Sequence, residues 1–192
     1  MIKFSVSKLV STFFYVGFSK VCPGTFGSVA TLPLWFFICY LIAKFSLSNP
    51  VVLVTILVTI LLFFYIVGKI TTDVYMKSTG KLDPSEVVID EVVGQLIAFM
   101  MSSSLIYIQS AKIELIMNCE CVYLKNGLGL LLLITPIIFF RLFDIGKPWI
   151  IGYIDKNIKS AHGVMLDDVF AGLFAGACNV ILIYLFLFLI RF

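Results

Sequence analysis

Residues 50–68 read PVVLVTILVTILLFFYIVG, nineteen residues without a charged side chain. As an α-helix, such a segment rises about 1.5 Å per residue and crosses the roughly 30 Å hydrocarbon core of a bilayer. The whole chain of 192 residues is 61% hydrophobic and 13% charged, whereas soluble domains are about 45–50% apolar and about 25% charged. The sequence therefore predicts an integral membrane protein.

Further apolar stretches repeat this pattern along the chain. They cover residues 29–45, 92–108, 127–140 with flanking residues up to Phe143, and 169–190. Because the bilayer core offers no water to bind backbone groups, spans of this kind are helical. We predict an all-α fold, a polytopic membrane helix bundle with about five spans. The length suits one domain, residues 1–192, in which 1–28 form an amphipathic segment and a glycine-containing loop.

The basic residues indicate how the bundle lies in the membrane. Segments 1–28, 69–91 and 141–168 contain ten of the fourteen Lys and Arg residues; the other four are Lys44, Lys112, Lys125 and Arg191. Cytoplasmic loops of membrane proteins carry the excess of positive charge. We therefore predict a cytoplasmic N-terminus and an external C-terminus. Since Lys and Arg form no run, nucleic-acid binding is not indicated.

Nine of the eleven carboxylates fall on the same predicted cytoplasmic side. An ionised carboxylate near hydrocarbon costs several kcal/mol unless it is paired or bound to a metal. A divalent cation held against a phosphate would account for them. With one histidine in the chain, His162, a nitrogen-rich zinc site is not indicated, whereas an all-oxygen ligand set favours Mg²⁺, with Mn²⁺ as the alternative. The acids in question are Asp90, Glu91, Asp144, Asp167 and Asp168.

A candidate phosphate loop, PGTFGS, precedes the first span at residues 23–28. Glycines let the backbone approach an anion closely, and a following helix start offers free N–H groups. The phosphate-binding candidates are Gly24, Thr25, Gly27 and Ser28, of which Thr25 and Ser28 add hydroxyl donors. Taken alone, the pattern also fits an ordinary turn and helix cap.

Two acidic pairs stand where the third and fifth predicted spans begin. Acids there also complement the helix dipole, so the pairs alone do not require a site. However, the residues four and eight positions after Asp90 and Asp168 are all small: Gly94, Ala98, Gly172 and Gly176. Small residues at this spacing let membrane helices pack closely. We therefore expect both pairs to face the bundle interior.

A third group of charges lies at the end of the fourth predicted span, where residues 140–148 read FRLFDIGKP. Arg141 and Asp144, three residues apart, are neighbours on one helix face. An internal ion pair is one interpretation, with Lys147 extending towards the interface. Because Arg141 is one of only two arginines, we favour a phosphate clamp made by Arg141 and Lys147.

Together these motifs resemble the phosphatidylglycerophosphatase A family of bacterial Mg²⁺-dependent lipid phosphatases. The matching stretches are PGTFGS (23–28), DPSEVVIDEVVGQ (83–95), FRLFDIGKP (140–148) and GVMLDDVFAGLFA (163–175). The resemblance implies a bacterial inner-membrane enzyme that hydrolyses phosphatidylglycerol phosphate to phosphatidylglycerol and phosphate, in phospholipid biosynthesis. It implies Mg²⁺ binding by acids of the second and fourth stretches, namely Asp90, Glu91, Asp167 and Asp168.

The chain departs from the family pattern at two places. Where family members have a second proline and an arginine after Lys-Pro, this chain has Ile150 and Gly152. Where they favour Gly-Gly before the Asp-Asp pair, it has His162-Gly163. Both departures concern loop conformation, and neither removes an acid.

The resulting hypothesis is a site that faces the cytoplasm and acts on a lipid held at the membrane surface. Phosphate-ester hydrolysis needs neutralisation of the phosphoryl oxygens and an oriented water. The catalytic candidates are the five acids Asp90, Glu91, Asp144, Asp167 and Asp168, of which Asp144 would orient either the water or Arg141. No protein partner is indicated.

Two other classes of function remain open at this point. A CDP-alcohol phosphotransferase-like lipid synthase is also an aspartate-containing membrane bundle, but its Asp-Gly…Ala-Arg…Gly…Asp…Asp run is absent from the sequence. A cation transporter would place acids along a pathway in mid-span. Here the acids are predicted at one membrane face.

Overall fold

A computed structural model describes residues 4–45, 47, 49–108 and 122–189. Throughout this part of the chain, the regular elements are all helical. They are α1 (Phe4–Ser11), a short 3₁₀ helix (Val16–Phe18), α2 (Pro23–Lys44), α3 (Pro50–Thr79), α4 (Ile89–Ile108), α5 (Val122–Gly146), α6 (Ile150–Asn157) and α7 (Ala161–Leu189). The predicted all-α fold is confirmed.

Four helices of the described residues are long and apolar enough to cross a membrane: α2, α3, the part of α5 from Asn126 to Gly146, and α7. This number is close to the predicted five. The remaining predicted span, 92–108, lies in α4, which packs against α2, α3, α5 and α7. Residues 92–99 of α4 are all buried, so α4 is the central helix of the bundle.

Local sequence signals set the two ends of α3. The Asn49 side chain accepts hydrogen bonds from the N–H groups of Val51 and Val52 at 3.0 and 3.3 Å, and Pro50 is the first helical residue. Both features stabilise a helix start. The helix ends at Gly80, whose φ of 71° is left-handed, the usual glycine stop. At thirty residues, α3 continues well beyond the predicted stretch 50–68.

The segment before α2 packs against the far end of α3. The Phe4 ring stacks on Tyr75 with ring centroids 5.8 Å apart, and the Ser7 hydroxyl donates to the Thr71 carbonyl. The N–H of Val88 donates to the Ser11 carbonyl at 3.0 Å. The α1 helix therefore holds the end of α3 and the start of α4 together.

Glycines bring α4 and α7 into backbone contact. A Cβ added at Gly172 would lie 2.2 Å from the carbonyl oxygen of Gly94, and one added at Gly94 would lie 2.5 Å from the carbonyl oxygen of Asp168. Distances this short exclude any side chain at either position. The predicted close packing after both acidic pairs is confirmed, and it brings Asp90 and Asp168, each one turn before its glycine, to neighbouring positions.

Candidate functional site

One end of the bundle contains a cavity of about 320 Å³. We call this end the cavity end; the starts of α2, α4 and α7 and the end of α5 meet there, beside α6. Nine of the eleven residues predicted for the site line the cavity: Gly24, Thr25, Asp90, Glu91, Arg141, Asp144, Lys147, Asp167 and Asp168. Residues far apart in sequence thus share one space.

The predicted phosphate loop has a different structure from the one expected. Residues 23–28 form the first turns of α2, because Pro23 at the first helical position is pre-organised for a helix. The Ser28 hydroxyl donates to the Gly24 carbonyl at 3.0 Å, and its side chain is fully buried. A Cβ at Gly27 would lie 2.9 Å from the Cβ of Val88. Gly27 and Ser28 therefore pack the helix, while Gly24 and Thr25 line the cavity.

Gly24 lies where the cavity leaves no room for a side chain. A Cβ at this position would be 2.3 Å from Oε1 of Glu91 and 2.8 Å from Nη1 of Arg141. The absent side chain lets the start of α2 approach an acid of α4 and a base of α5 together.

Three carboxylates form the most acidic part of the cavity. Oxygens of Asp90, Glu91 and Asp168 all lie within 4.8 Å of one another, and Asp90 and Asp168 are only 8% and 4% exposed. Buried like charges at this separation repel each other strongly. Within the described residues, Oε2 of Glu91 is buried and has no hydrogen-bond partner. This oxygen-only donor set fits a hard divalent cation.

Asp167 takes a different partner from the other predicted metal ligands. Its Oδ2 accepts a hydrogen bond from Nζ of Lys147 at 3.0 Å. Of the four acids assigned to the metal by resemblance, the structure brings three together and pairs the fourth with a lysine. The dipole interpretation of Asp167 and Asp168 also weakens, since α7 begins at Ala161 and dipole effects fade beyond the first turn.

Sequence reasoning did not single out Asp155, which also lines the cavity. Its Oδ1 accepts a hydrogen bond from Nζ of Lys147 at 2.7 Å, and this bond lowers the pKa of the Asp155 carboxyl. Partial burial lowers the pKa of Lys147, but its bonds to Asp155 and Asp167 outweigh burial and raise the pKa overall. Lys147 is therefore a stable cation. The only signal in the sequence was an acid eight residues after Lys147.

Arg141 lies between two acids. It donates to Asp144, three residues along the same helix, which is the internal ion pair that the spacing also allowed beside the favoured phosphate clamp, and its Nη1 is 4.0 Å from Oε1 of Glu91. Within the described residues, its Nε is buried without a hydrogen-bond partner. The guanidinium thus neutralises part of the acidic charge at the cavity end.

The places where the chain departs from the family pattern are tightly packed. His162 contacts α3, with its Nδ1 2.7 Å from the Tyr65 hydroxyl oxygen. A Cβ at Gly163 would lie 1.8 Å from the Ile158 carbonyl oxygen, and one at Gly152 would lie 2.5 Å from that of Lys147. His162 joins two helices outside the cavity lining, and both glycines allow close backbone contacts.

The bundle and its cavity define a class of protein: a polytopic membrane protein whose acids and bases converge at the helix ends, as a phosphate ester and a cation require. The chain belongs to the phosphatidylglycerophosphatase A family, whose model matches residues 9–183. The family resemblance of the four motifs is thereby confirmed, and with it the assignment to a membrane-embedded phosphatase of lipid metabolism.

Individual relatives extend this result. Phosphatidylglycerophosphatase A of Escherichia coli is 26% identical over 164 residues, which cover 85% of this chain and 76% of the relative. The Haemophilus influenzae protein of the same name is 28% identical over 167 residues, or 87% and 82% of the two chains. A Bacteroides thetaiotaomicron relative, named "Putative phosphatidylinositol-3-phosphatase", is 29% identical over 167 residues, 87% of each chain. No solved structure shows a significant match.

Proposed function

We propose that the chain hydrolyses the phosphate monoester of phosphatidylglycerol phosphate in a Mg²⁺-dependent reaction. The products are phosphatidylglycerol and inorganic phosphate, so the enzyme supplies a step of phospholipid biosynthesis. The observation that carries the proposal is the cavity itself. It holds three carboxylates within 4.8 Å of one another, and Arg141 and Lys147 line the same space.

Asp90, Glu91 and Asp168 are the residues that would hold Mg²⁺. The fit rests on their oxygen-only donor set and on the buried Oε2 of Glu91, which has no hydrogen-bond partner among the residues that the structure describes. When bound, the ion supplies charge neutralisation at the phosphoryl oxygens. Asp167, predicted as a fourth ligand, lies beside this group as the hydrogen-bond partner of Lys147.

The other cavity residues would bind and orient the phosphate. Lys147 and Arg141 donate to phosphoryl oxygens, since both cations are held at the cavity wall. Asp144 fixes the Arg141 guanidinium through their hydrogen bond. Gly24 lets the start of α2 lie directly against Glu91 and Arg141, and Thr25 beside it offers a hydroxyl to the phosphate. Positioned charges of this kind account for most catalysis of phosphoryl transfer.

Membrane topology gives this site its access to substrate. The family and the apolar helices fit a multi-pass protein of the bacterial inner membrane. We place the cavity end in the cytoplasm, because the excess of basic residues lies in the segments that form it. Cys22, exposed and at the cavity mouth, should react with a membrane-impermeant maleimide only from the cytoplasmic side. Labelling of Cys22 from outside intact cells would show that the cavity end faces away from the cytoplasm.

A phosphate-release assay on the purified full chain in detergent micelles tests the activity. Phosphatidylglycerol phosphate is compared with phosphatidic acid and soluble glycerol phosphate, with Mg²⁺ and with excess EDTA. We expect preferential release from phosphatidylglycerol phosphate and none with EDTA. Full activity in EDTA would refute the metal dependence, and equal activity on glycerol phosphate would refute the lipid specificity.

Phosphatidylinositol 3-phosphate is a second candidate substrate, because the name of the Bacteroides thetaiotaomicron relative refers to that lipid. It belongs in the same assay. Faster phosphate release from phosphatidylinositol 3-phosphate than from phosphatidylglycerol phosphate would make phosphatidylinositol 3-phosphate the proposed substrate. The cation-transporter alternative predicts acids in mid-span, whereas the acids of the cavity lie at helix ends. Ion flux through reconstituted vesicles without phosphate release would favour that alternative.

A further inference from the structure

The Lys147 ammonium is shared between carboxylates on two different helices. It donates to Oδ1 of Asp155 on α6 at 2.7 Å and to Oδ2 of Asp167 on α7 at 3.0 Å. An ammonium has three N–H donors. Within the part of the chain that the structure describes, two are used in these contacts, which leaves the third for a ligand in the cavity that all three residues line.

The α6 helix is anchored so that it can fix this geometry. Ile151 and Ile154 are 0% and 5% exposed, and the helix packs against α7. Asp155 follows Ile154 directly, so its backbone is held by that burial. Gly152 lies against the Lys147 carbonyl, where a Cβ would be only 2.5 Å away from the oxygen.

The backbone at Lys147 makes this support necessary. Its φ is 41°, in the left-handed region, and Trp149 beyond Pro148 has a φ of 47°. Ordinary residues adopt this region only where the surrounding structure enforces it. The α6 helix holds the Lys147 turn twice, at the carbonyl through Gly152 and at the ammonium through Asp155.

We propose that Asp155 is a positioning residue for phosphate recognition: it holds the Lys147 ammonium away from exclusive pairing with Asp167, so that one N–H is directed at a phosphoryl oxygen. The inference rests on the proposed function and adds a residue to it. Without the Asp155 charge, Lys147 would pair with Asp167 alone and move towards α7. The phosphate would then lose a donor while the acid group of Asp90, Glu91 and Asp168 stayed unchanged.

The test is a double-mutant cycle with Asp155→Asn, Lys147→Met and the combined variant. Loss of a hydrogen bond between charged groups should raise KM for phosphatidylglycerol phosphate by about tenfold in Asp155→Asn. In the Lys147→Met background the same change should alter kcat/KM by less than about twofold, since the residues act as one unit. The Mg²⁺ concentration for half-maximal activity should stay the same.

Asp73→Asn is the matched control. Asp73 pairs with Lys77 on α3, where the two side chains are 46% and 74% exposed, so the variant should keep wild-type kinetics. An equal effect of Asp155→Asn in both backgrounds would overturn the inference and indicate a general structural role. A shifted Mg²⁺ requirement would also overturn it, since Asp155 would then act on the metal.

The affinity for inorganic phosphate provides a second measurement that does not require catalytic turnover. Calorimetric titration of the full chain in micelles with Mg²⁺ should show about tenfold weaker phosphate binding for Asp155→Asn. If the wild-type protein releases no phosphate from lipid yet this difference is seen, the proposed function fails and the positioning role stands. Equal phosphate affinities for the wild type and Asp155→Asn would refute the positioning role.

Discussion

Two polar clusters lie on the same central helices of this bundle, and they are built in opposite ways. The acid group at the cavity end consists of Asp90 and Glu91 of α4 and Asp168 of α7. About three helical turns further into the bundle, Ser102 of α4 and Asn179 of α7 form the second cluster with Thr135 of α5.

The second cluster is internally satisfied. The Asn179 amide donates to the Ser102 hydroxyl oxygen at 2.8 Å and to the Leu131 carbonyl at 2.8 Å. Thr135 in turn donates to the Asn179 side-chain oxygen. All three residues are neutral, so burial leaves no charge uncompensated. Such a network joins helices and needs no ligand.

The acid group lacks this internal satisfaction. Its oxygens crowd within 4.8 Å, and Oε2 of Glu91 has no hydrogen-bond partner among the described residues. The guanidinium of Arg141 is 4.0 Å from Oε1 of Glu91. Its single positive charge is too little to balance three carboxylates. Polar groups that satisfy one another's hydrogen bonds stabilise the fold, whereas polar groups that require a cation indicate a binding site. The comparison predicts opposite mutational effects at the two clusters.

The largest effect is expected for Asp168→Asn. Loss of a carboxylate that acts in concert with others should lower phosphate release by about 10³-fold or more. Because one of three repelling charges is gone, the metal-free variant should melt a few degrees higher than the metal-free wild type. Phosphate-release assays and thermal melting in EDTA, with Asp73→Asn as control, measure the two changes.

Asp90→Asn should lower phosphate release in the same way. The double variant Asp90→Asn/Asp168→Asn should release phosphate only slightly more slowly than either single variant. Near-normal phosphate release by a well-folded Asp168→Asn protein would contradict the shared acid group. A lower melting temperature in EDTA would show that Asp168 stabilises the fold as Asn179 does, and the contrast between the clusters would disappear.

Gly172→Ala should affect both clusters, because it separates the helices that hold them. The new Cβ would lie 2.2 Å from the Gly94 carbonyl oxygen, so α4 and α7 must move apart. A displacement of about 1 Å at a catalytic geometry costs about 10²-fold in rate, and we expect a loss of that order with a lower melting temperature.

Gly129→Ala provides the matched control for this substitution. Gly129 is in the spanning part of α5, and a Cβ there would meet no atom of the described residues within 4 Å. Alanine is the better helix former, so this variant should keep its activity and its melting temperature or gain slightly. Equal losses in the two variants would mean that helix separation is not the cause.

The large-scale arrangement was predictable because its signals are local. Hydropathy and length identify spans without knowledge of their neighbours, and the small residues after Asp90 and Asp168 identify the faces that pack. Once the helix ends share a membrane face, the packing of these small faces brings Asp90 and Asp168 together. Family membership and an all-helical bundle follow from these patterns.

The fine structure of the site was not predictable, because it depends on tertiary contacts. Pro23 favours a first helical position, but proline is also common in turns, so the helix at 23–28 is distinguished from a loop by the packing of Gly24 against α4 and α5. The left-handed turn at Lys147 returns Asp155 to the cavity, and no sequence period marks such a turn. That turn also determines the partner of Asp167. His162 likewise pairs with Tyr65, ninety-seven residues away.

A smaller effect is expected for Asn179→Ala in the satisfied cluster. The variant loses both amide hydrogen bonds and leaves the Thr135 hydroxyl with fewer partners, at a cost of about 1–2 kcal/mol in the free energy of unfolding. The kcat of the folded fraction and the Mg²⁺ requirement should not change. Asn126→Ala, at an exposed position of α5, is the control. A changed Mg²⁺ requirement in Asn179→Ala would show that the clusters are coupled.

The smallest effect is expected at Glu86, an acid of the cavity end that does have partners. Glu86 accepts hydrogen bonds from Lys81 and from the Tyr75 hydroxyl. Burial raises the pKa of Glu86, but these bonds outweigh it and hold the pKa below its ordinary value. Glu86 is therefore more easily ionised in the folded protein than in the unfolded chain.

This direction fixes how the contribution of Glu86 depends on pH. A lowered pKa means that the folded state favours the ionised acid, so the stabilisation is fully present above the unfolded pKa of about 4.3. It is lost as the pH falls through the lower folded value. Glu86→Gln should therefore lower the melting temperature by only a degree or two at pH 7.

Melting curves in EDTA from pH 7 to pH 3 should show wild type and variant converging at the acidic end. Asp168→Asn measured alongside should differ from wild type in the opposite direction at pH 7, because its carboxylate is crowded by other acids where that of Glu86 is paired with a lysine. A Glu86→Gln protein that melts above wild type at pH 7 would place Glu86 with the repelling acids.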